Sequence, residues 1–147
     1  LSTNGAPPPL VLAAPLLRDV MTRSPIYVDI HASVGHAELL MRRHQVNHLA
    51  VMDAGTLESI ISDRGVKRVT RPGHKAAGDD EELTVADICP SRAYVADAED
   101  PLDIILQTMV AERVSAVIVL ADGELAGIFT ERDACRLLSH LYRPEMQ

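Results

Sequence analysis

From residue 16 onward, apolar and polar positions follow a fixed order of spacings, and that order occurs twice, the second time 68 positions later. Each copy opens on a short apolar stretch that suits a strand, at 26–28 and 94–96. An amphipathic helix follows. In the second copy it sets Leu102, Ile105, Leu106, Met109 and Val110 at i, i+3, i+4, i+7 and i+8, a single apolar face. Asp100 is placed to cap this helix and Pro101 to occupy its first turn. In the first copy Ser33 is the candidate cap, and the face (Val34, Ala37, Met41) is thinner. Apolar runs at 49–52 and 117–120 then predict buried strands. Turns at 53–55 and 122–123 lead into strands at 57–61 and 125–129, and the Asp122-Gly123 pair predicts a hairpin. Helices at 63–69 and 131–141 close the two copies. The shift needs no gap, and it superposes identical residues from Asp19 and Asp87 through Met41 and Met109 to Arg68 and Arg136.

The predicted organisation is a Pro-rich tail or linker at 1–15, a first repeat at 16–69, an acidic and polar linker at 70–84, a second repeat at 85–142 and a tail at 143–147. A unit of this size with three strands and two helices has too little core to stand comfortably alone. The expected fold is therefore α+β, two βαββα-type units packed sheet to sheet about a pseudo-twofold axis, with clefts between them where ligands bind.

Composition narrows the function. Apolar residues make up 47% of the chain but aromatic ones only 3%, which predicts a core of Val, Ile, Leu, Ala and Met. A net charge of -7 repels phosphodiester backbones, so no direct nucleic-acid binding is expected. Cys89 and Cys135 are too few and too scattered for a disulfide framework or a zinc site, and read as two reduced, partly buried thiols of a cytoplasmic protein. No apolar run approaches the ~18–20 residues of a membrane span; the best, at 10–17, is short and broken by Pro15. The chain starts at Leu1 rather than Met, which leaves open whether it stands alone or is a piece of a longer protein.

Catalytic motifs do not surface. There is no phosphate-binding Walker loop, no GxGxxG after a strand, no GxSxG and no HExxH. Of six histidines only His44 and His48 have metal-pair spacing, and the predicted helix ends between them, so no metal is expected. The most informative segment is Gly127-Ile128-Phe129-Thr130-Glu131-Arg132-Asp133, which runs from a strand into a helix N-terminus whose free N–H groups favour an anion. Thr130 and Asp133 have capping-box spacing. They could equally offer a hydroxyl to phosphate or ribose and a carboxylate to a ribose diol, and one pair can serve both ends.

"GIFTERD" after "DGELAG", preceded by "VSAVIVL" and a helix ending in Met, resembles a CBS domain, and "MRRHQVNHLAVMDAGTLESIISDRG" repeats the frame in the first copy. Two such domains in tandem form a Bateman module. The resemblance covers about residues 17–141. It implies a regulatory module that binds an adenosine-type ligand (AMP, ADP, ATP or S-adenosylmethionine), requires no cofactor, pairs into a homodimer through its helices and controls a partner that the sequence does not identify. The family's ribose-binding Asp falls on Asp133 and its Ser/Thr on Thr130, within the TERD segment that includes Arg132. The residues reaching the same cleft from the other repeat fall on Met21, Thr22, Ile26, Asn47 and His48. Asn47 and His48 stand where the family often has a phosphate-touching His-Arg pair, so strong phosphate dependence is not expected. In the first repeat the counterpart of Asp133 is Gly65 and that of Gly127 is Ser59; only Ser62 keeps its hydroxyl. Losing such a carboxylate forfeits roughly 1.5–3 kcal/mol, about 10- to 150-fold in affinity, which predicts one nucleoside site per chain. The opposite cleft, with Ser115 and Ala116, is expected to be empty or to hold something else.

Arg42, Arg43, Lys67, Arg68 and Arg71 stand out in an acidic chain, either as a solvated helix surface or as a local potential drawing an anion to the cleft. The alternative to ligand sensing is a structural or dimerisation module in which Thr130 and Asp133 only cap a helix. An enzyme has no nucleophile–base or metal constellation behind it in this sequence.

Overall fold

A computed structural model describes residues 13–70, 83–90 and 93–142. Most of the expected tail and linker, the C-terminal tail and Arg71 lie outside the described residues. In chain order the elements are α1 (Leu17–Val20), β1 (Thr22–Arg23), β2 (Tyr27–Asp29), α2 (Val34–His44), β3 (His48–Asp53), β4 (Thr56–Ser62), α3 (Asp63–Thr70), α4 (Val85–Ile88), β5 (Val95–Asp97), α5 (Leu102–Glu112), β6 (Ala116–Ala121), β7 (Glu124–Thr130) and α6 (Glu131–Tyr142). From α4 to β7 each element begins and ends 68 residues after its counterpart. The repeat in the sequence is a repeat in the fold.

Each repeat carries a parallel pair followed by an antiparallel hairpin. β2 pairs with β3 at Tyr27 and Ala50, and β5 pairs with β6 at Val95 and Ile118, the same register 68 residues on. Both hairpins turn through two residues of positive φ, Ala54-Gly55 (50° and 84°) and Asp122-Gly123 (52° and 80°). That is the geometry a two-residue hairpin needs to match the right-handed twist of its strands. The strands at 27–29 and 95–97 lie one residue beyond the stretches the sequence suggested.

Alternation along the strands divides the buried residues into two sets. Leu49, Val51 and Ile61 join Val34, Ala37, Met41 and Val66 in one helix-covered core, and Val117, Val119 and Phe129 join Leu102, Ile105 and Met109 in the other. Ala50 and Ile118 point away from these cores yet are fully buried, which marks where the two sheets press together.

The leading segments are exchanged between the repeats. Leu17 of α1 fills the second core and Val85 of α4 fills the first. The exchange is reciprocal at the backbone: Leu17 N–H donates to Asp100 O (2.9 Å) and Val85 N–H to Ala32 O (2.8 Å). β1 continues it by pairing antiparallel with β7, which gives one sheet of order β1-β7-β6-β5 beside a second of order β2-β3-β4. Burying one leucine stabilises by about 1.5–3 kcal/mol, so neither core is complete without the other repeat's segment.

The exchange also corrects the expected cap of α5. Its first free N–H, on Leu102, is taken by Pro15 O at 2.8 Å, just as Val34 N–H is taken by Leu83 O at 2.8 Å. Pro101 occupies the cap position, and the Asp100 carboxylate instead accepts from Asp97 N–H (3.0 Å) in the turn before it. Ser33 caps α2 as expected, accepting from His36 N–H at 3.0 Å. On the predicted face of α5, Val110 is the exception: it is 81% exposed because it sits on the flank of the helix beyond Leu106.

Candidate functional site

Asp133 sits where β7 runs into α6, and it is the only buried charged residue among those described. Capping geometry fixes it: its Oδ2 accepts from Thr130 N–H (2.9 Å) and from the Thr130 hydroxyl (3.1 Å), while Asp133 N–H donates back to Thr130 Oγ1 (3.3 Å). Its other oxygen, Oδ1, accepts from the Thr22 hydroxyl at 3.4 Å and from Arg136 Nη1 at 3.2 Å. Thr22 belongs to β1, the segment exchanged from the first repeat. One carboxylate thus gathers the helix start, the crossing strand and an arginine one turn along α6. Arg136 was missed in the sequence, although its spacing of three from Asp133 on a helix was a usable signal.

Gly127 explains how β1 can lie so close. A Cβ there would stand 2.6 Å from Thr22 O and 2.7 Å from Met21 Sδ. At the equivalent place in the first repeat Ser59 is fully buried, and its hydroxyl donates to Pro90 O at 2.9 Å. The two clefts therefore differ in how the crossing segment is held as well as in the loss of the carboxylate at Gly65.

The remaining candidates divide among neighbouring spaces. Met21 lies with Thr22 against Gly127. Ile26 is half-buried against the first core. Asn47 and His48 line a cavity of about 630 Å³ together with Asp63, Ser115 and Glu131. His48 Nε2 lies 3.1 Å from Ser115 Oγ, a hydrogen bond between the repeats. Arg132 opens elsewhere, onto a cavity of about 350 Å³ that it shares with Asn47, Asp63, Lys67 and Arg42. A further cavity of about 350 Å³ lies beside Gly65, lined by Ser62, Arg68, Tyr94, Arg113 and Ala116. The basic residues of the first repeat are partly paired, Lys67 with Asp63 at 3.1 Å and Arg42 with Glu38 at 3.9 Å.

The expectation of a free helix N-terminus holds only in part, because the start of α6 satisfies several of its N–H groups while Arg132 N–H has no acceptor among the described residues. At α6 the N–H groups of Thr130, Glu131 and Asp133 are taken by Asp133, Ser115 O (3.0 Å) and Thr130 respectively. At α3, Asp63 N–H donates to Asn47 O (2.7 Å) and Gly65 N–H to Ser62 Oγ (3.0 Å). Burial pushes the His48 imidazole below its ordinary range, against the opposing pull of the Glu131, Asp133 and Asp63 carboxylates. Cys89 is partly buried, and its thiol is pushed up by desolvation. Cys135, expected to be partly buried, is exposed. No group of three or more His, Cys, Asp or Glu suited to a metal occurs among the described residues, and no described helix is long and apolar enough to cross a membrane.

A family model described as the CBS domain matches residues 17–71 and 85–140. The chain is 28% identical over 122 residues to hypoxic response protein 1 of Mycobacterium tuberculosis, covering 82% of this chain and 83% of that protein. It is 26% identical over 124 residues to the L-aspartate semialdehyde sulfurtransferase of Methanocaldococcus jannaschii, covering 83% of this chain but spanning only 23% of that protein's length. Among solved structures it is similar to a CBS domain pair in complex with 5′-methylthioadenosine and S-adenosyl-L-methionine, with a TM-score of 0.71, 25% identity, and coverage of 84% of this chain and 99% of that one.

Proposed function

The chain belongs to the CBS-domain family, and from that membership we propose that it is a regulatory module that binds an adenosine-type ligand in the cleft at Asp133. The observation that carries the reading is a buried carboxylate at a strand–helix junction, reached by a hydroxyl from the other repeat. A ribose diol has two donors. It can replace the long Thr22 bond and the Arg136 contact, whose guanidinium side is 58% exposed, without disturbing the two Thr130 bonds that hold the cap. Met21, Thr22, Ile26, Asn47, His48, Thr130 and Asp133 form the proposed ligand set; Arg132, on its separate cavity, belongs to the set only if the ligand extends past the α6 N-terminus. Thr22 belongs to the first repeat by sequence but is seated on the second repeat's sheet by β1–β7 pairing, so a ligand that displaces its bond to Asp133 acts on the exchanged segment that ties the repeats together, and a partner domain or protein reads the change. CBS domain pairs are generally regulatory, and the proposed module performs no catalysis of its own.

The module pairs with a second copy through α5 and α6. Val110, Leu141 and Tyr142 are 81%, 62% and 81% exposed, whereas the first-repeat counterpart of Val110 is Arg42. Exposed apolar residues are concentrated on α5 and α6 (Ile104, Val110, Leu138, Leu141 and Tyr142), with Tyr27 and Leu39 in the first repeat, and a twofold axis would set such a patch against its own copy.

One observation favours the structural alternative, in which Asp133 only caps α6: four donors already reach its carboxylate. Calorimetry and thermal shift with AMP, ADP, ATP and S-adenosylmethionine separate the two readings. The sensing reading predicts binding that Asp133→Asn weakens at least 10-fold in a folded protein. A protein indifferent to every adenosine compound is the structural module.

A further inference from the structure

We propose that the cavity beside Gly65 is a second ligand site, which takes a small carboxylic acid with an apolar body. The acid's carboxylate stands where the Asp133 carboxylate stands in the other repeat, and the proposal does not depend on nucleoside binding at Asp133.

The two repeats differ less in their donors than in the acceptor those donors serve. Around the Asp133 carboxylate four donors converge: Thr130 N–H, the Thr130 hydroxyl, the Thr22 hydroxyl and Arg136. At the positions offset by 68 residues stand Ser62 for Thr130, Arg68 for Arg136 and Pro90 for Thr22, so only the crossing hydroxyl is lost. The local geometry is kept as well. Gly65 N–H donates to Ser62 Oγ at 3.0 Å, as Asp133 N–H donates to Thr130 Oγ1 at 3.3 Å. Asp63 N–H donates to Asn47 O at 2.7 Å across the β3–β4 pairing, so Ser62 N–H, one residue earlier, points to the opposite side. That side is the open edge of β4, the outer strand of its sheet. The first repeat thus keeps the donors and lacks the carboxylate. Among the described residues, neither the Ser62 hydroxyl nor the Arg68 guanidinium donates to an acceptor.

Ser62, Gly65 and Arg68 all line the cavity of about 350 Å³, and no aspartate or glutamate lines it. Arg113 from the other repeat adds a second guanidinium to its wall. Both arginines are exposed and screened by solvent, so they attract an anion only modestly. The half-buried Ser62, with its N–H and its hydroxyl, is what holds the carboxylate in place. Gly65 leaves the room: a Cβ there meets nothing nearer than Ser62 Oγ at 3.4 Å, an ordinary contact. A carbon bearing a carboxylate therefore fits where the Asp133 side chain sits in the second repeat. The rest of the wall is apolar, with Ile60, Ile88, Tyr94 and Val114 half-buried and Ala116 buried. An apolar body attached to the carboxylate covers these side chains. The volume lies near the lower end of the about 300–1,000 Å³ usual for small-molecule sites, which limits that body to a short branched chain or a single ring.

The test is calorimetry and amide-resolved NMR of the full chain with acetate, isovalerate and benzoate, with isovaleramide and benzamide as uncharged counterparts and inorganic phosphate as a competing anion. Saturable binding of isovalerate or benzoate is expected, tighter than acetate and about 10-fold or more tighter than the matching amide, the scale of one charge-assisted hydrogen bond. The Ser62 and Gly65 amide signals move in the titration while those of Thr130 and Asp133 stay. Gly65→Asp supplies the carboxylate from the chain itself and abolishes the binding in a folded protein. Arg68→Gln weakens it by about two- to fivefold, the scale of a screened surface charge. The proposal is overturned if neither larger acid binds saturably, if an amide or phosphate binds as tightly as the acids, if Gly65→Asp binds them as the parent does, or if the moving signals are those of Thr130 and Asp133.

Discussion

Replacing Asp133 by alanine removes four contacts at once, and their magnitudes can be worked separately. The capping interaction with Thr130 is worth about 1 kcal/mol, within the usual range for an N-terminal cap. The Thr22 bond, partly buried and made to a charged acceptor, adds about 1 kcal/mol despite its 3.4 Å length. The Arg136 pair counts for little, since the guanidinium is 58% exposed and solvent screens it. Asp133→Ala is therefore expected to destabilise the fold by about 2 kcal/mol, a fall in melting temperature of roughly 4–8 °C for a chain of this length. Asp133→Asn keeps an acceptor for Thr130 N–H and should lose about half as much. Urea unfolding of the three proteins gives the comparison, with equal denaturant slopes as the sign that the same surface unfolds in each. An alanine variant within about 0.5 kcal/mol of the parent, or an asparagine variant as damaged as the alanine one, would refute the account of the junction.

Three further outcomes follow from the same geometry. Gly127→Ala forces its Cβ against a backbone carbonyl 2.6 Å away, which cannot swing aside without breaking the β1–β7 pairing. It should cost about 1–3 kcal/mol in chemical unfolding, and a neutral result would mean β1 is not seated there. Ser59→Ala removes the 2.9 Å hydrogen bond to Pro90 O, whose proline is exposed, and should cost about 0.5–1.5 kcal/mol; an unchanged midpoint would contradict the proposed anchoring of the α4 segment. His48 has its folded pKa lowered, so the unfolded chain binds its proton first as pH falls. Its stability contribution is full above the ordinary value of 6.5 and is lost progressively below it. The difference in unfolding free energy between wild type and His48→Gln should therefore shift against wild type between about pH 7 and 5, and a difference independent of pH would show that burial does not disfavour the charged ring.

The element order was legible because both repeats write it with the same spacings, so a weak signal in one copy is supported by the other. Ser33, the two hairpin turns and the faces of α2 and α5 followed directly. The exchange of α1 and α4 was not legible: Leu17 and Val85 carry the same apolar pattern whichever core they fill. For the same reason Asp100 looked like a cap, because the carbonyl of Pro15 that satisfies α5 comes from far away in sequence. Asp133 and Thr130 were identifiable from their spacing and the strand–helix junction. The pairing of Asp133 with Thr22 and the occupied N–H groups of α6 depend on where β1 crosses, and no local pattern records that. Val110 fits the helical period, yet it lies at the edge of its apolar arc, beyond the reach of the core.

The most direct measurement is a crystal structure of the chain with 5′-methylthioadenosine. The account predicts the ribose diol within hydrogen-bonding distance of the Asp133 carboxylate and the Thr22 and Arg136 contacts displaced. A ligand seated in the cavity beside Gly65, with the Thr22–Asp133 bond intact, would contradict it.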